Sequence, residues 1–199
     1  MGYPLIQVNR NLTRGVVQVT QSWFLLNPNN KAQNNLTEYN KYKWYVPFTH
    51  TTKEEVDFDF YKKPNWLKPT DNECKKLIFY EYNTIFALLM IFLFIQVLIN
   101  IPSNANAETW ILANVKHAGF YRVNYNQENL NFLINQLDSD HLVIDTVSRA
   151  QLLDDSFSLG RAEKIEQTIF LDIFSKRRGP DAIYTSIQWF KFHSQFYIE

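Results

Sequence analysis

The sequence has one cysteine, five glycines and no net charge, and each of these shortages excludes a structural feature or a class of partner. A single cysteine, Cys74, excludes an intramolecular disulfide. So few glycines leave no glycine-rich phosphate-binding loop. Twenty Lys and Arg residues balance twenty Asp and Glu residues, so no excess of positive charge would attract nucleic acid or an acidic membrane surface. We therefore expect no nucleic-acid partner.

What the sequence does contain is apolar material. Hydrophobic residues make up 46% of the 199 residues and aromatic residues 16%, which is enough to build the core of one ordinary domain or two small ones. Residues 1–8 lack the basic start and the apolar run of a signal peptide, so we expect no export by that route. Asn11 and Asn35 head N-x-T sequons and are candidate N-glycosylation sites, unless they are unmodified surface residues. The cellular compartment stays open.

The first part of the chain is typical of β-strands. Apolar and polar residues alternate along residues 15–26, 42–49 and 55–61, and Pro47 predicts an edge position or a bulge. Residues 109–125 predict a hairpin in which Gly119 supplies the positive φ of the turn. Several short strands separated by turn residues indicate a β-sandwich, which we assign to residues 1–126.

The second part of the chain changes to a helical period. Apolar residues recur at helical spacing over residues 130–137, 143–159 and 162–176. Short successive helices are typical of the beginning of an α-solenoid, which we assign to residues 127–199. The aromatic stretch 181–199 gives no clear period. The predicted fold class is therefore α+β in two parts, a β-sandwich followed by the first helices of a superhelix.

Four segments carry a resemblance to a known family. They are MGYPLIQV (1–8), KWYVPFTHTT (43–52), TWILANVKHAGFYRVNY (109–125) and SRAQLLDDSFSLGRA (148–162). Together they resemble the zinc aminopeptidases of the aminopeptidase N family. In that family a thermolysin-like catalytic domain is followed by a small β-sandwich and a helical superhelix. The resemblance implies that this chain corresponds to the sandwich and the first superhelix helices.

The catalytic motif of that family is missing from this sequence. The family hydrolyses peptides with a zinc ion and a general-base glutamate on an HExxH helix. The histidines are His50, His117, His141 and His193, and no two are four positions apart. We therefore expect no catalytic, metal-binding or cofactor-binding residue here. Zinc and peptides would be ligands of an intact enzyme only.

An apolar run, residues 77–100, fits neither part. Residues 84–101 are almost wholly apolar, near the lower limit of the roughly 20 residues that a membrane-spanning helix needs. The run is interpretable as a membrane span, as a buried helix or strand, or as an insertion relative to the family. Its richness in Ile, Phe, Leu, Tyr and Asn is what translation of an AT-rich intron would give. We favour this third interpretation, in which the insertion is a retained intron in the gene model.

Several residues in the family-like segments are candidate structural residues. We expect Arg122 and Arg149 to pair with carboxylates or carbonyl groups near the junction of the two parts. Asp154 and Asp155 are helix neighbours whose side chains diverge by about 100°, so we expect solvated or capping roles rather than one shared site. His117 is expected at the surface. The full set of family-like structural residues is Gly119, Tyr121, Arg122, Tyr125, Arg149, Asp154 and Asp155.

These observations lead to one functional expectation and two alternatives. The expectation is a non-catalytic fragment of a zinc-dependent aminopeptidase that supports the peptide-hydrolysing domain. The first alternative is a binding or adhesion module tethered to a membrane through residues 84–101. The second is a subunit that pairs with an intact paralogue through an exposed helical face.

Overall fold

The computed structural model describes residues 3–11, 16–26, 42–59, 63–70, 74–77 and 109–176. These residues form mixed sheets and three α-helices, which confirms the α+β class. The strands are β1 Tyr3–Asn11, β2 Val16–Phe24, β3 Val46–Phe48, β4 His50–Thr52, β5 Asn65–Leu67, β6 Cys74–Leu77, β7 Ile111–Ala113 and β8 Arg122–Tyr125. The helices are α1 Gln127–Ser139, α2 Thr146–Arg161 and α3 Gln167–Ser175.

The largest sheet has four strands in the order β6-β2-β1-β8. β1 and β2 pair antiparallel from Tyr3 opposite Phe24 to Asn11 opposite Val16. β8 adds to the other edge of β1 in parallel, with Leu5 opposite Arg122. Because side chains alternate between the faces of a strand, β1 offers one face to each of two apolar clusters.

These two clusters hold the strands and the helices together. One face of the sheet contributes Ile6, Val8 and Val19 to the larger cluster, which also contains buried residues of β3, β5, β7 and all three helices. The opposite face contributes Leu5 and Phe24, which pack with Leu159 and Ala162 at the end of α2. Full burial of each such side chain is worth about 1.5–3 kcal/mol. The four-stranded sheet is therefore covered on both faces.

The predicted hairpin over residues 109–125 is wrong. β7 pairs antiparallel with β4, from Ile111 opposite Thr52 to Ala113 opposite His50, whereas β8 pairs with β1 in a different sheet. The segment between them is a short 3₁₀ turn, Val115–His117. Each of the two strands finds a long-range partner, because burial in the common core outweighs a local two-strand pairing.

The conformation of this turn also differs from the prediction. Gly119 does not carry a positive φ; Asn114 (59°), Lys116 (52°) and His117 (54°) do. Asn tolerates the left-handed region because its short side chain bonds locally. Gly119 is required for another reason, since a Cβ there would collide with the ring of Tyr121.

Two other strand assignments need correction. Of the strand predicted over residues 55–61, residues 55–59 form no strand although their sequence alternates, and residues 60–61 lie outside the described residues. Within the strand predicted over residues 42–49, only Val46–Phe48 form a strand, β3. β4 begins beyond it at His50 and belongs to a different two-stranded sheet. Alternation alone does not make a strand, because a partner strand must also be in reach.

The three helices begin and end close to the predicted positions. In α1, Leu130, Leu133 and Leu137 are buried at the spacing of one helix face. Asp145 caps α2 by accepting bonds from the backbone N–H groups of Val147 and Ser148, at 3.0 and 3.2 Å. The third helix starts later than expected, at Gln167, because a turn occupies residues 162–165.

The apolar run lies outside the described residues, apart from Leu77 at the end of β6. The stretch 181–199 and the sequon at Asn35 lie outside them as well. None of the helices described here has the length and apolar character that a membrane crossing requires.

The close approach at Gly119 gives the first prediction. In Gly119→Ala the new Cβ meets Tyr121 and lies 3.3 Å from the Asn114 side-chain oxygen, and Tyr121 is buried and hydrogen-bonded to Pro47. We expect a loss of about 1–3 kcal/mol in the free energy of unfolding, measured by urea denaturation.

Gly160→Ala is the matched control, because the nearest atoms would lie at an ordinary 3.5 Å. Its helical position predicts no loss, and a gain of up to about 1 kcal/mol. Equal losses in the two variants would contradict the close-approach explanation.

Candidate functional site: a buried arginine–aspartate cluster

A cluster of charged groups joins the large sheet to α2. Arg122 lies at the start of β8, and Asp154 and Asp155 lie on α2. The Arg122 Nη1 donates to Asp154 Oδ2 at 2.5 Å and to Asp155 Oδ1 at 2.9 Å. The Nε of the same side chain donates to the Tyr3 hydroxyl at 2.9 Å. One guanidinium therefore ties β8, β1 and α2 together, and we call Arg122, Asp154, Asp155 and Tyr3 the Arg122 cluster.

Aromatic rings form part of the environment of the guanidinium. The Arg122 Cζ lies 5.6 Å from the ring centroid of Tyr3 and 5.5 Å from that of Phe24. These rings are stacked, with centroids 5.3 Å apart. The planar guanidinium is attracted by ring faces and binds carboxylates at the same time, which an ammonium group does less well.

Asp155 is the buried acid of the cluster, with 4% exposure. Besides Arg122, its carboxylate accepts bonds from the Val123 backbone N–H at 3.1 Å and from the Gln151 side-chain amide at 3.4 Å. Burial, opposed by the Arg122 charge, raises the pKa of Asp155 to about 6. Burial acts to lower the pKa of Arg122, but the two carboxylates raise it overall, so the arginine stays charged.

The predicted solvated or capping role is therefore wrong for Asp155, which is buried, whereas Asp154 is partly exposed and binds Arg122 as well. Their side chains leave the helix in different directions, as expected for neighbours. The forked Arg122 side chain nevertheless reaches both carboxylates, because it approaches from the sheet. Arg149 bonds a carbonyl group instead, donating to His141 at 2.7 Å and to the Thr146 hydroxyl at 3.1 Å.

A second polar network, of neutral groups, surrounds the turn between β7 and β8. The fully buried Asn114 side chain accepts from the Gly119 N–H at 2.8 Å and donates to the carbonyl groups of Gly119 and Tyr121. The Tyr121 hydroxyl donates to Pro47, and the Tyr125 hydroxyl accepts from the Ala113 N–H. Burial raises the pKa of both tyrosines, so both hydroxyls remain neutral.

Buried amide side chains also attach α1 to β7. Asn129 accepts from the Ile111 N–H and donates to the Ile111 carbonyl, both at 2.8 Å. This pair of bonds replaces a missing neighbouring strand. The Trp110 indole N–H donates to Gln136 at 3.1 Å. Together these bonds place the first helix against the strand that precedes it.

The remaining candidates take peripheral places. Asn11 ends β1. His117 is exposed beside the Arg122 cluster, and desolvation lowers its pKa despite the nearby charge of Asp154. In the part of the chain that the structure describes, no three His, Cys, Asp or Glu side chains come together as a metal site would require. The arrangement of the described polar groups is suited to holding the strands and helices together.

Sequence reasoning missed the neutral members of these networks. Asn114, Asn129 and Gln151 carry no motif, and their partners are distant backbone groups or residues of another element. One signal was available at Asn114, since Asn between a strand and a turn is often in the left-handed region. Tyr3 gave no signal at all.

Comparison with known proteins gives consistent matches. Residues 110–184 match the family model described as the ERAP1-like C-terminal domain. The chain is 33% identical to aminopeptidase Ey of Gallus gallus over 172 residues, covering 86% of this chain and 14% of that protein. It is 27% identical to aminopeptidase N of Rattus norvegicus over 197 residues, covering 96% and 16%. The thyrotropin-releasing hormone-degrading ectoenzyme of Rattus norvegicus is 28% identical over 181 residues, covering 87% and 14%.

With its α+β fold, the chain is thus related to aminopeptidases, a class of peptide hydrolases. It belongs to the aminopeptidase N family and corresponds to the C-terminal region of its members. The chain spans about one seventh of the length of these curated relatives.

The cluster geometry gives the second prediction. Arg122→Met removes the cation from two carboxylates, one of them buried, and we expect a loss of about 3–5 kcal/mol in the free energy of unfolding. Lys176→Met is the control, because its 3.2 Å pair with Asp138 is well exposed and such pairs contribute about 0–1 kcal/mol. Denaturant titration of both variants tests the expectation.

A triple variant separates lost charge from lost packing. Arg122→Met combined with Asp154→Asn and Asp155→Asn leaves no unpaired charge in the Arg122 cluster, so stability should recover in part. If the triple variant is less stable than Arg122→Met alone, the uncompensated carboxylates are not the cause of the loss.

Proposed function

We propose that this chain is a non-catalytic structural region of a zinc-dependent aminopeptidase. In the intact enzyme it would support the domain that hydrolyses peptides, and zinc and substrate would bind to that other domain. The observation that carries the proposal is the similarity to aminopeptidases over 86–96% of this chain and only 14–16% of their length. Most of such an enzyme lies outside the matched region, and that remainder is large enough to contain the catalytic domain.

The polar contacts support a structural role. The Arg122 cluster and Asn129 direct their hydrogen bonds to neighbouring elements, and Asn114 holds the turn between β7 and β8. Bonds between elements far apart in sequence turn short strands and helices into one body. A region that supports a neighbouring domain must itself stay folded, and hydrogen bonds between its elements contribute to that stability.

The proposal includes a sandwich and the start of a superhelix. For the sandwich, Val46, Phe48 and Leu67 of the small β3–β5 sheet pack in the same cluster as Ile6 and Val8 of the large sheet, as facing sheets do. For the superhelix, three short helices follow one another, and α2 and α3 share buried contacts through the same cluster. Both assignments extend the α+β description.

The membrane-anchored alternative is disfavoured by strand pairing. β1 and β8 pair over four residues, and β4 pairs with β7. In each pair one strand precedes residues 84–101 and the other follows them. A single membrane crossing by those residues would separate strands that hydrogen-bond directly, so we retain the structural region as the proposal.

The third prediction concerns activity. The purified 199-residue chain, supplied with Zn²⁺, should release no 4-nitroaniline from alanyl or leucyl 4-nitroanilide above the buffer rate. Rat aminopeptidase N serves as the positive control. Zinc-dependent release that survives further purification and is lost with a chelator would contradict the non-catalytic assignment.

A chimera tests the supporting role directly. The matching region of the chicken aminopeptidase Ey is replaced by this chain, with and without Arg122→Met, and with Lys176→Met as control. We expect Arg122→Met to lower the yield of folded enzyme or its melting temperature, with KM and kcat per folded molecule unchanged. A large change in kcat at unchanged folding would assign the region to the chemistry instead.

A further inference from the structure

In the Arg122 cluster, the carboxylates of Asp154 and Asp155 both contact the guanidinium of Arg122. Nη1 of Arg122 contacts both carboxylates, so neither acid has that donor to itself. Asp154 reaches the surface, with a side-chain exposure of 24%, whereas the Asp155 side chain is only 5% exposed. Water can therefore stabilise the charge of Asp154, but not that of Asp155.

An orphan acceptor lies beside the buried acid. The side-chain oxygen of Gln151 is buried and has no hydrogen-bond partner among the described residues, while its amide nitrogen makes only a long 3.4 Å contact with Asp155 Oδ2. The oxygen and nitrogen of an amide exchange places by a half-turn. After that half-turn the Gln151 oxygen would face Oδ2 and could accept a hydrogen bond from a protonated Asp155.

We propose that the Arg122 cluster is an acid-strengthened joint between the large sheet and α2. At mildly acidic pH the Asp155 carboxyl takes up one proton and, through it, donates a hydrogen bond to the Gln151 oxygen. The Arg122 guanidinium then balances the single charge of Asp154. At neutral pH the buried Asp155 carboxylate is charged and receives only a share of the Arg122 Nη1 donor, so the joint is weaker.

The charged and titratable groups around Asp155 are consistent with this joint. Asp155 faces Arg122 and Tyr125 of β8 and Tyr121, which precedes β8; the buried hydroxyls of both tyrosines stay neutral because burial raises their pKa. Asp154 is its neighbour on α2 and opposes its ionisation. Beyond these, Tyr3 of β1 and His117 of the turn face Arg122. Among the described groups, Arg122 is thus the cation in direct contact.

The sign of the pH dependence follows from the pKa of Asp155. Burial raises it to about 6, above the ordinary value of about 3.9 in an unfolded chain. The folded protein therefore holds a proton that the unfolded chain has released. The stabilising contribution of Asp155 is fully present below about pH 4 and is lost as the pH rises through about 6.

Carboxyl carbon NMR of the full chain provides the test. The Asp155 signal is assigned by its absence in Asp155→Asn, and its midpoint is followed from pH 3 to pH 8 in the unmutated chain. We expect a midpoint near pH 6. Asp154→Asn should shift it down by about one unit or more, because Arg122 is then no longer shared. Asp138→Asn, which alters a distant exposed pair, should not shift it.

A second measurement reads the joint itself. The Val123 N–H donates to Asp155, so its hydrogen exchange, corrected for the intrinsic effect of pH, should be slower at pH 5.5 than at pH 7.5. This difference should disappear in Asp155→Asn. A midpoint at the ordinary value for aspartate, or corrected exchange that is no slower at the lower pH, would overturn the proposal even if both variants fold.

Discussion

The buried carboxylate of Asp155 is the constraint around which the sheet and the helices are arranged. A charge so far from water requires a cation and directed hydrogen bonds, and these come from β8 through Arg122 and the Val123 N–H. Arg122 in turn rests against Tyr3 and Phe24. The position of α2 is therefore coupled to the register of β8 on β1, since a slip of one residue would turn Arg122 to the other face.

Neutral polar side chains form hydrogen bonds with backbone groups that the short strands leave without a strand partner. Among the described strands, β7 pairs with β4 alone, so the backbone groups on its other edge need other partners. Asn129 takes the place of a strand partner at Ile111, and Asn114 closes the turn that follows. Both amides are fully buried, where an unmade bond costs about 1–3 kcal/mol. Short elements are thus stabilised by side chains from neighbouring elements more than by their own ladders.

These hydrogen bonds from side chains to the backbone of short elements agree with the supporting role in an aminopeptidase that we propose. The described polar clusters connect neighbouring elements, and the chain corresponds to the C-terminal region of much longer relatives. Reasoning from sequence reached the family, the α+β class and the three helices, because long periodic segments and specific motifs are local signals. It assigned the hairpin and a strand over residues 55–59 wrongly, since strand pairing depends on partners distant in sequence.

By itself, the amino-acid sequence determined which segments are helical and the relationship carried by the GFYRVNY and RAQLLDDSF segments. Those features depend on neighbours within a few residues. Only the tertiary structure decided that β8 leaves β7 to join β1, that Gly119 is needed for space rather than for a positive φ, and that Asp154 and Asp155 share one guanidinium. Each of these depends on an element more than thirty residues away or on a side chain packed across a turn, and no local pattern encodes such contacts.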